Sequence, residues 1–360
     1  MKKRLFSILA LAMVLVFAFS GTALAADEGG DIHIEMVAKG FQHQFWQVVK
    51  QGAEDAAADL GVTINFDGPA SESDIPGQVN MLNASLSKNP QGICLAALDT
   101  ESVTSQLEQA KEGGIPVIGF DSGVPNAPEG TIQATASTDN FAAAGLAAEE
   151  MMKNADFAAL LEAATADAPV KVGVLSQDVT STSVTQRTEG YIETFKAAAE
   201  EMYPGAVAVA GHSLYEAASD EDPAVIIQVA VPPTPDTPDV KNAAQALLNE
   251  AGLISVFCSN EGAVTGFLAA TNDGTDLADG AQYGDLIVAG FDAGSTQKNA
   301  VREGWFIGSV TQDPYQIGYK PVELCIAAIN GEEVSDVDTG AKWYNAENID
   351  EEGIAELVYD

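Results

Sequence analysis

The sequence predicts an α/β protein made of two parallel sheets, each with helices on both faces. Short apolar runs alternate with longer segments whose apolar residues recur at helical spacing, the pattern of repeated βα units. The alternation runs through two successive series, so two sheets are expected rather than one. Polar residues follow strand after strand in both series, and open α/β sheets bind small molecules at those strand ends. At 360 residues and 46% hydrophobic composition, the chain can bury two cores.

The first series opens with a strand over 32–38. Phe45, Val48, Val49, Ala53, Ala56, Ala57 and Leu60 then form the apolar face of a helix over 45–60, closed by Gly61. A strand over 62–66, a helix through 78–86, a strand over 92–98, a helix over 102–111 and a strand over 115–120 follow. After a run at 131–136 the second series begins, with a helix over 141–152, a strand over 170–175, a helix over 185–202 and a strand over 206–211. A helix through 243–250 comes next, then strands over 253–258, 285–291 and 305–310, with helices over 264–271, 297–303 and 316–330. Residues 211–240 break the rhythm. An acidic stretch there precedes an apolar run at 225–231 and then Pro232, Pro233, Pro235 and Pro238. Prolines at that density forbid a helix, and the segment is expected to be an extended surface loop.

The leader carries Lys2, Lys3 and Arg4, an apolar stretch over 5–19 and the small-residue end Ala23-Leu24-Ala25. That order is a secretory signal peptide over 1–25. Its apolar run is too short for a comfortable membrane span. No cysteine follows the cleavage point. A soluble periplasmic or otherwise extracytoplasmic protein without a lipid anchor is therefore expected. The 53 acidic and 16 basic residues give a net charge of −37, and loss of the basic leader makes it more negative still. A field of that sign repels nucleic acid and anionic membranes.

Cys94, Cys258 and Cys325 are far apart, with none in a CxxC pair, and are expected to be buried free thiols. His33, His43 and His212 are isolated, so no zinc-spaced cluster is present. Asp273, Asp276 and Asp279 are spaced by three, where a calcium loop needs two, and are expected to form a solvated acidic loop. The sequence has no GxSxG elbow, P-loop or GxGxxG motif. No metal, no cofactor and no enzymatic activity are expected.

The chemistry gathers at the strand ends. Lys39, Gln42, His43, Gln44, Phe45 and Trp46 follow the first strand. Aromatic faces suit the apolar C–H face of a sugar ring, and Lys39 can donate hydrogen bonds. Asp121 and Ser122 follow the strand ending at Phe120. In the second series Arg187 precedes Gly190-Tyr191, Asn260-Glu261 follows Cys258, Asp292 follows Gly290-Phe291, and Gln312-Asp313 follows Val310. Any one of these could be a helix cap or a solvated turn, as Asp121 and Asp292 would be before their next helices. As a set, they are the side chains that make paired, charge-assisted hydrogen bonds to vicinal hydroxyls.

Several segments carry a family resemblance. They are Gly113-Gly114-Ile115-Pro116-Val117-Ile118 leading to Asp121, Ser137-Thr138-Asp139-Asn140, and Arg187-Thr188-Glu189-Gly190-Tyr191. Val256-Phe257-Cys258-Ser259-Asn260-Glu261, Val288-Ala289-Gly290-Phe291-Asp292 and Gln312-Asp313-Pro314-Tyr315-Gln316-Ile317-Gly318 complete the set. With them the chain resembles the type I periplasmic binding proteins of sugar ABC importers, the ribose- and arabinose-binding group. The resemblance implies two doubly wound, Rossmann-like lobes joined by a three-crossing hinge. It places an N-terminal lobe at 26–137 plus 313–341 and a C-terminal lobe at 138–312 plus 342–360. It also implies sugar ligands at Phe45, Trp46, Asp121, Arg187, Asn260, Asp292 and Gln312.

The chain departs from the better-known members in places. Lys39 stands where ribose binders have serine and where arabinose binders and autoinducer-2 receptors have lysine. His43 replaces a common asparagine or acid, and Ser122 stands where ribose binders place a second arginine. Tyr215 is a candidate for the aromatic on the opposite sugar face. The resemblance implies a monomer that captures a small neutral sugar and docks on the membrane subunits of an ABC permease. A receptor for autoinducer-2 or another small polyol, feeding a chemoreceptor or sensor kinase, is the alternative. A DNA-binding regulator of the same fold would need a basic amino-terminal helix-turn-helix, which neither the leader nor the charge supports.

Overall fold

The computed structural model describes residues 32–359, so the signal-peptide assignment lies outside the described residues. The first series folds as β1 (His33–Val37), α1 (Phe45–Leu60), β2 (Thr63–Asp67), α2 (Ile75–Ser87), β3 (Gly92–Leu95), α3 (Thr104–Glu112), β4 (Val117–Phe120) and β5 (Ala134–Ser137). The second folds as α4 (Asn140–Lys153), α5 (Ala155–Glu162), β6 (Val170–Leu175), α6 (Thr182–Met202), β7 (Val207–Ala210), β8 (Val225–Ala230), α7 (Thr237–Leu248), β9 (Leu253–Cys258), α8 (Glu261–Ala270), β10 (Ile287–Phe291), α9 (Ser295–Arg302) and β11 (Gly308–Gln312). The chain ends through α10 (Pro314–Ile329), β12 (Val337–Asp338) and β13 (Ala341–Tyr344).

Two sheets result. One has the order β12-β5-β4-β3-β1-β2, the other β13-β11-β10-β9-β6-β8-β7. Every pairing is parallel except β11 with β13. The chain passes between the sheets three times. It leaves the first after β5, returns after β11 through α10, which packs on α1, β3 and β4, and crosses last between β12 and β13. Parallel strands buried on both faces read as near-continuous apolar runs, which is why β3, β4 and β9 were legible in the sequence.

The segment 211–240 departs from the surface-loop expectation. Residues 225–230 form β8, which lies between β6 and β7 inside the second sheet and buries Val225, Ile227 and Val229. Pro238 sits in the first turn of α7, where a helix amide has no intrahelical acceptor and its loss costs nothing. The prolines at 232, 233 and 235 lie in the short connection between β8 and α7, which bends over 233–236. Proline density therefore marked a helix start, and the apolar run before it was the stronger signal. The sequence reading also passed over α5 and the short strands β12 and β13.

Two helix pairs hold the layers at close range. In α1 and α10, Gly52 faces the Tyr315 carbonyl and Gly318 faces the Val49 carbonyl. In α4 and α6, Gly190 faces the Phe141 carbonyl. Backbones touch at these points because no Cβ intervenes.

Cys94, Cys258 and Cys325 are free and buried. Burial pushes the Cys94 and Cys258 thiols up, away from the reactive thiolate form.

Candidate functional site

The carboxyl ends of β1, β2, β4, β9, β10 and β11 face one cavity between the sheets. It is lined by Lys39, His43, Phe45, Trp46, Glu72 and Asp121 from the first sheet's side and by Arg187, Asn260, Glu261, Asp292 and Gln312 from the second's. The cavity holds about 280 Å³ of non-atom space including its mouth. A larger groove, about 1250 Å³ of non-atom space including open solvent, lies beside the crossings at Thr138–Asp139 and Val337–Asp338, but no aromatic ring or cationic side chain lines it.

Backbone geometry places the two central carboxylates. Asp121 has φ 54° and Asp292 has φ 78°, left-handed values that cost a non-glycine residue energy and gather at functional sites. Both residues end the same short run, Gly119-Phe120-Asp121 leaving β4 and Gly290-Phe291-Asp292 leaving β10. The repeated Gly-Phe-Asp was a readable sign that the two series present equivalent acids.

The cations are built in by partners from both sides. Lys39 Nζ lies 3.0 Å from Asp121 Oδ2 and donates to Ser183 Oγ at 3.0 Å. Burial pulls the Lys39 amine down, but the carboxylates of Asp121, Glu72 and Asp178 outweigh it and hold the amine above its usual range. Burial pushes the Asp121 carboxyl up, with Lys39 and Arg187 only partly opposing it. Arg187 donates Nε to Asn140 Oδ1 at 2.7 Å, covers the Phe291 ring at 3.9 Å and lies 3.6 Å from Asp292 Oδ2. Stacking and the forked donor set suit guanidinium and not ammonium.

Asp292 does not cap its own following helix. Its Oδ2 accepts from the Glu261 amide at 2.9 Å and its Oδ1 from Gln312 Nε2 at 2.7 Å. Asn260 does serve as a cap, accepting from the Ala263 amide at 3.0 Å, while its Nδ2 donates to Gln177 Oε1 at 2.7 Å. Trp46 is both core and wall. It is 1% exposed, sits edge-on to Phe45 and Phe120, and donates Nε1 to Glu72 Oε1 at 2.8 Å.

Two expected residues lie elsewhere. Ser122 is buried beside the cavity, where its Oγ accepts from the Ser183 amide at 3.3 Å instead of lining the wall. Tyr215 sits in the turn after β7, against His212 and the core under the second sheet, and does not reach the cavity. The aromatic contribution thus comes from Phe45 and Trp46, on the first sheet's side.

Glu72 was not among the expected site residues, and Glu261 was named only in the strand-end pair Asn260-Glu261, outside the expected ligand set. Glu72 follows β2 and Gln177 follows β6, two strand ends whose polar residues the sequence reading passed over. Gln177 Nε2 donates to Glu72 Oε2 at 2.8 Å across the cavity. Further bonds close the mouth: Ser71 and Ser73 donate to Asp236 Oδ1 at 3.1 and 2.9 Å, the Ser295 amide donates to Gln44 Oε1 at 2.7 Å, and Thr180 Oγ1 donates to the Leu98 carbonyl at 3.0 Å. These bonds join the two sides across the mouth.

Burial pushes the Glu261 carboxyl up, and Asp292 adds to the shift against His43. A raised carboxyl binds its proton more readily folded than unfolded, so its contribution to stability is greatest at low pH and is lost as pH rises through the raised value. Glu72 is shifted down: burial raises it, but His43, Lys39, Trp46 and Gln177 together overcome that. Its contribution survives until pH falls through that lowered value. Thermal unfolding followed across a pH series upward from the ordinary carboxyl value of 4.5 should therefore show a loss of stability with rising pH that is smaller in Glu261→Gln. An identical loss in the variant would show that Glu261 is not the source.

A family model described as a periplasmic binding protein domain matches residues 34–333. The D-allose-binding periplasmic protein of Escherichia coli is 23% identical over 339 residues, spanning 92% of this chain and 96% of that one. A Brachyspira murdochii structure described as an ABC transporter, LacI family transcriptional regulator, is 39% identical and superposes with a TM-score of 0.77 over 92% of this chain and 99% of that one. An ABC transporter solute-binding protein from Agrobacterium vitis, solved with bound D-fucose, is 26% identical, with a TM-score of 0.72 over 91% and 100% of the two chains.

Proposed function

The chain belongs to the periplasmic binding protein domain family, and from that premise we propose that it captures a monosaccharide between its two lobes and delivers it to an ABC-type sugar permease. One observation carries the reading. Hydrogen-bonding side chains from the strand ends of both sheets converge on a single buried cavity walled by two aromatic rings. Sugar-binding relatives at full length, such as the D-allose-binding protein, support the ligand class and favour transport over the autoinducer-2 alternative. A net charge of −37 argues against a nucleic-acid partner for this chain.

The lobes are proposed as residues 26–137 plus 313–341 and residues 138–312 plus 342–360, with hinge motion about the three crossings opening the mouth. Lys39, Phe45, Trp46, Asp121, Arg187, Asn260, Asp292 and Gln312 are the proposed sugar contacts, with Glu72 and Glu261 added and His43 beside them. Ser122 acts one step back, through Ser183. Closing removes water from these groups, which strengthens each bond and makes a missing hydroxyl costly. Specificity then arises without chemistry. The protein is proposed to act as an extracytoplasmic monomer, with the permease as its partner and a chemoreceptor or sensor kinase as a second one.

A thermal-shift screen across pentoses, hexoses, deoxy sugars and autoinducer-2 tests this directly. A ligand at about 100 times its Kd stabilises by about 2.7 kcal/mol, a readily seen rise in Tm. A rise confined to one or a few monosaccharides is expected. No rise with any sugar would overturn the reading.

A further inference from the structure

The cavity is unbalanced in charge, and the imbalance has a location. Among its lining residues four carboxylates, Glu72, Asp121, Glu261 and Asp292, meet two permanent cations, Lys39 and Arg187. Both cations are engaged, Lys39 with Asp121 and Ser183, and Arg187 with Asn140 beside Asp292. Both Glu72 oxygens accept hydrogen bonds, from Trp46 and Gln177. His43 Nε2 is bonded to Gln42, lies 4.0 Å from Glu72 and also bears on Glu261.

Glu261 is the carboxylate left over. Its Oε1 accepts a long 3.3 Å bond from the Gln44 amide, and its Oε2 is buried with no partner. Gln312 repeats the pattern, since its Nε2 is spent on Asp292 and its Oε1 is buried without a donor. Glu261 and Gln312 are joined through Asp292, which accepts from both. This wall therefore holds two orphaned oxygens, on residues only 8% and 2% exposed, around a third carboxylate. Burying acceptors without donors is costly, and a carboxylate oxygen more so than an amide oxygen.

A sugar hydroxyl brings one donor and no charge, which leaves the surplus in place. A protonated amine brings three donors and one of the two missing positive charges. We infer that the preferred guest is an amino-deoxy monosaccharide, its ammonium group seated against Glu261, Asp292 and Gln312. The inference rests on the monosaccharide reading above and refines its expectation of a neutral guest. The same wall rejects acidic sugars, whose carboxylate would face the surplus directly.

Calorimetric titration with matched pairs decides the matter. Hexosamines are set against their parent hexoses, and amino-deoxy pentoses against their parent pentoses, at about pH 6.5 so that the amines are protonated. At least one amino sugar should bind tighter than its parent, by on the order of tenfold, and Glu261→Gln should bring that ratio towards one. Parents that bind as tightly as their amino forms throughout would overturn the inference while leaving monosaccharide binding intact. So would a preference that Glu261→Gln leaves unchanged. Failure of every sugar in both sets would instead overturn the monosaccharide reading itself, and the inference with it.

Discussion

Replacing Arg187 by alanine is expected to weaken binding of the best monosaccharide from the thermal-shift screen by about 2–5 kcal/mol, roughly thirtyfold to several thousandfold in Kd. The size follows from what the guanidinium holds. Its loss uncovers the Phe291 ring at 3.9 Å, takes the 2.7 Å donor from Asn140 and leaves Asp292 without its nearby cation at 3.6 Å. Asp292 would then sit in a buried wall with Glu261 and no charge opposite either. Asp292→Ala and Asp121→Ala are expected to fall in the same range, because each removes a carboxylate at the centre of the cavity. Arg187→Lys should recover little, since a lysine keeps the charge but loses both the stacking on Phe291 and the forked donor geometry. Calorimetry measures the affinity, and thermal unfolding of the unliganded variants separates a lost contact from a lost fold. Unchanged affinity in Arg187→Ala, Asp121→Ala and Asp292→Ala alike would remove the site assignment.

The fold was legible because its strands are buried on both faces. A parallel strand such as β3 or β9 reads as an unbroken apolar run, and its helix neighbours read by period, so element type followed directly. Boundaries were less legible. The α7 helix starts at Thr237, ahead of any apolar periodicity, because Pro238 and Asp239 form its first turn. The β8 strand was hidden by the prolines after it, which suggested a loop although none lies within the strand.

The site was legible in proportion to how much of it follows a strand. Lys39, Asp121, Asn260 and Asp292 come directly after β-strands or within two residues of their ends, and all reach the cavity. Tyr215 was a candidate by chemistry alone, and the turn after β7 carries it to the wrong place. Glu72 lies five residues past β2 and reaches the cavity only because the loop folds back so that Trp46 and Gln177 can bond it. Such a loop conformation is set by tertiary partners and leaves no local pattern in the sequence. The pairing of orphaned oxygens on Glu261 and Gln312 is less legible still, since it depends on which donors Asp292 has already taken.

Gly318→Ala is expected to destabilise the protein by about 1–3 kcal/mol, against the trend of its helix position. In an open helix interior, alanine for glycine gains about 1 kcal/mol from helix propensity. Gly318 lies inside α10, so its sign is decided by space. A Cβ there would run into the Val49 carbonyl of α1, and no rotamer relieves a clash with backbone. The helices would have to separate. One turn earlier the Tyr315 carbonyl meets Gly52 in the same way, so separation at one contact opens the other. Because α10 is the second of the three crossings, loosening it should also disturb the hinge. Gly145→Ala in α4 is the useful comparison. Its added methyl would meet the Thr194 hydroxyl at 2.8 Å, a side-chain group that can rotate away. It should therefore cost clearly less than Gly318→Ala. Urea unfolding with unchanged m-values would measure both. A Gly318→Ala variant as stable as the parent would mean that α1 and α10 do not meet backbone to backbone.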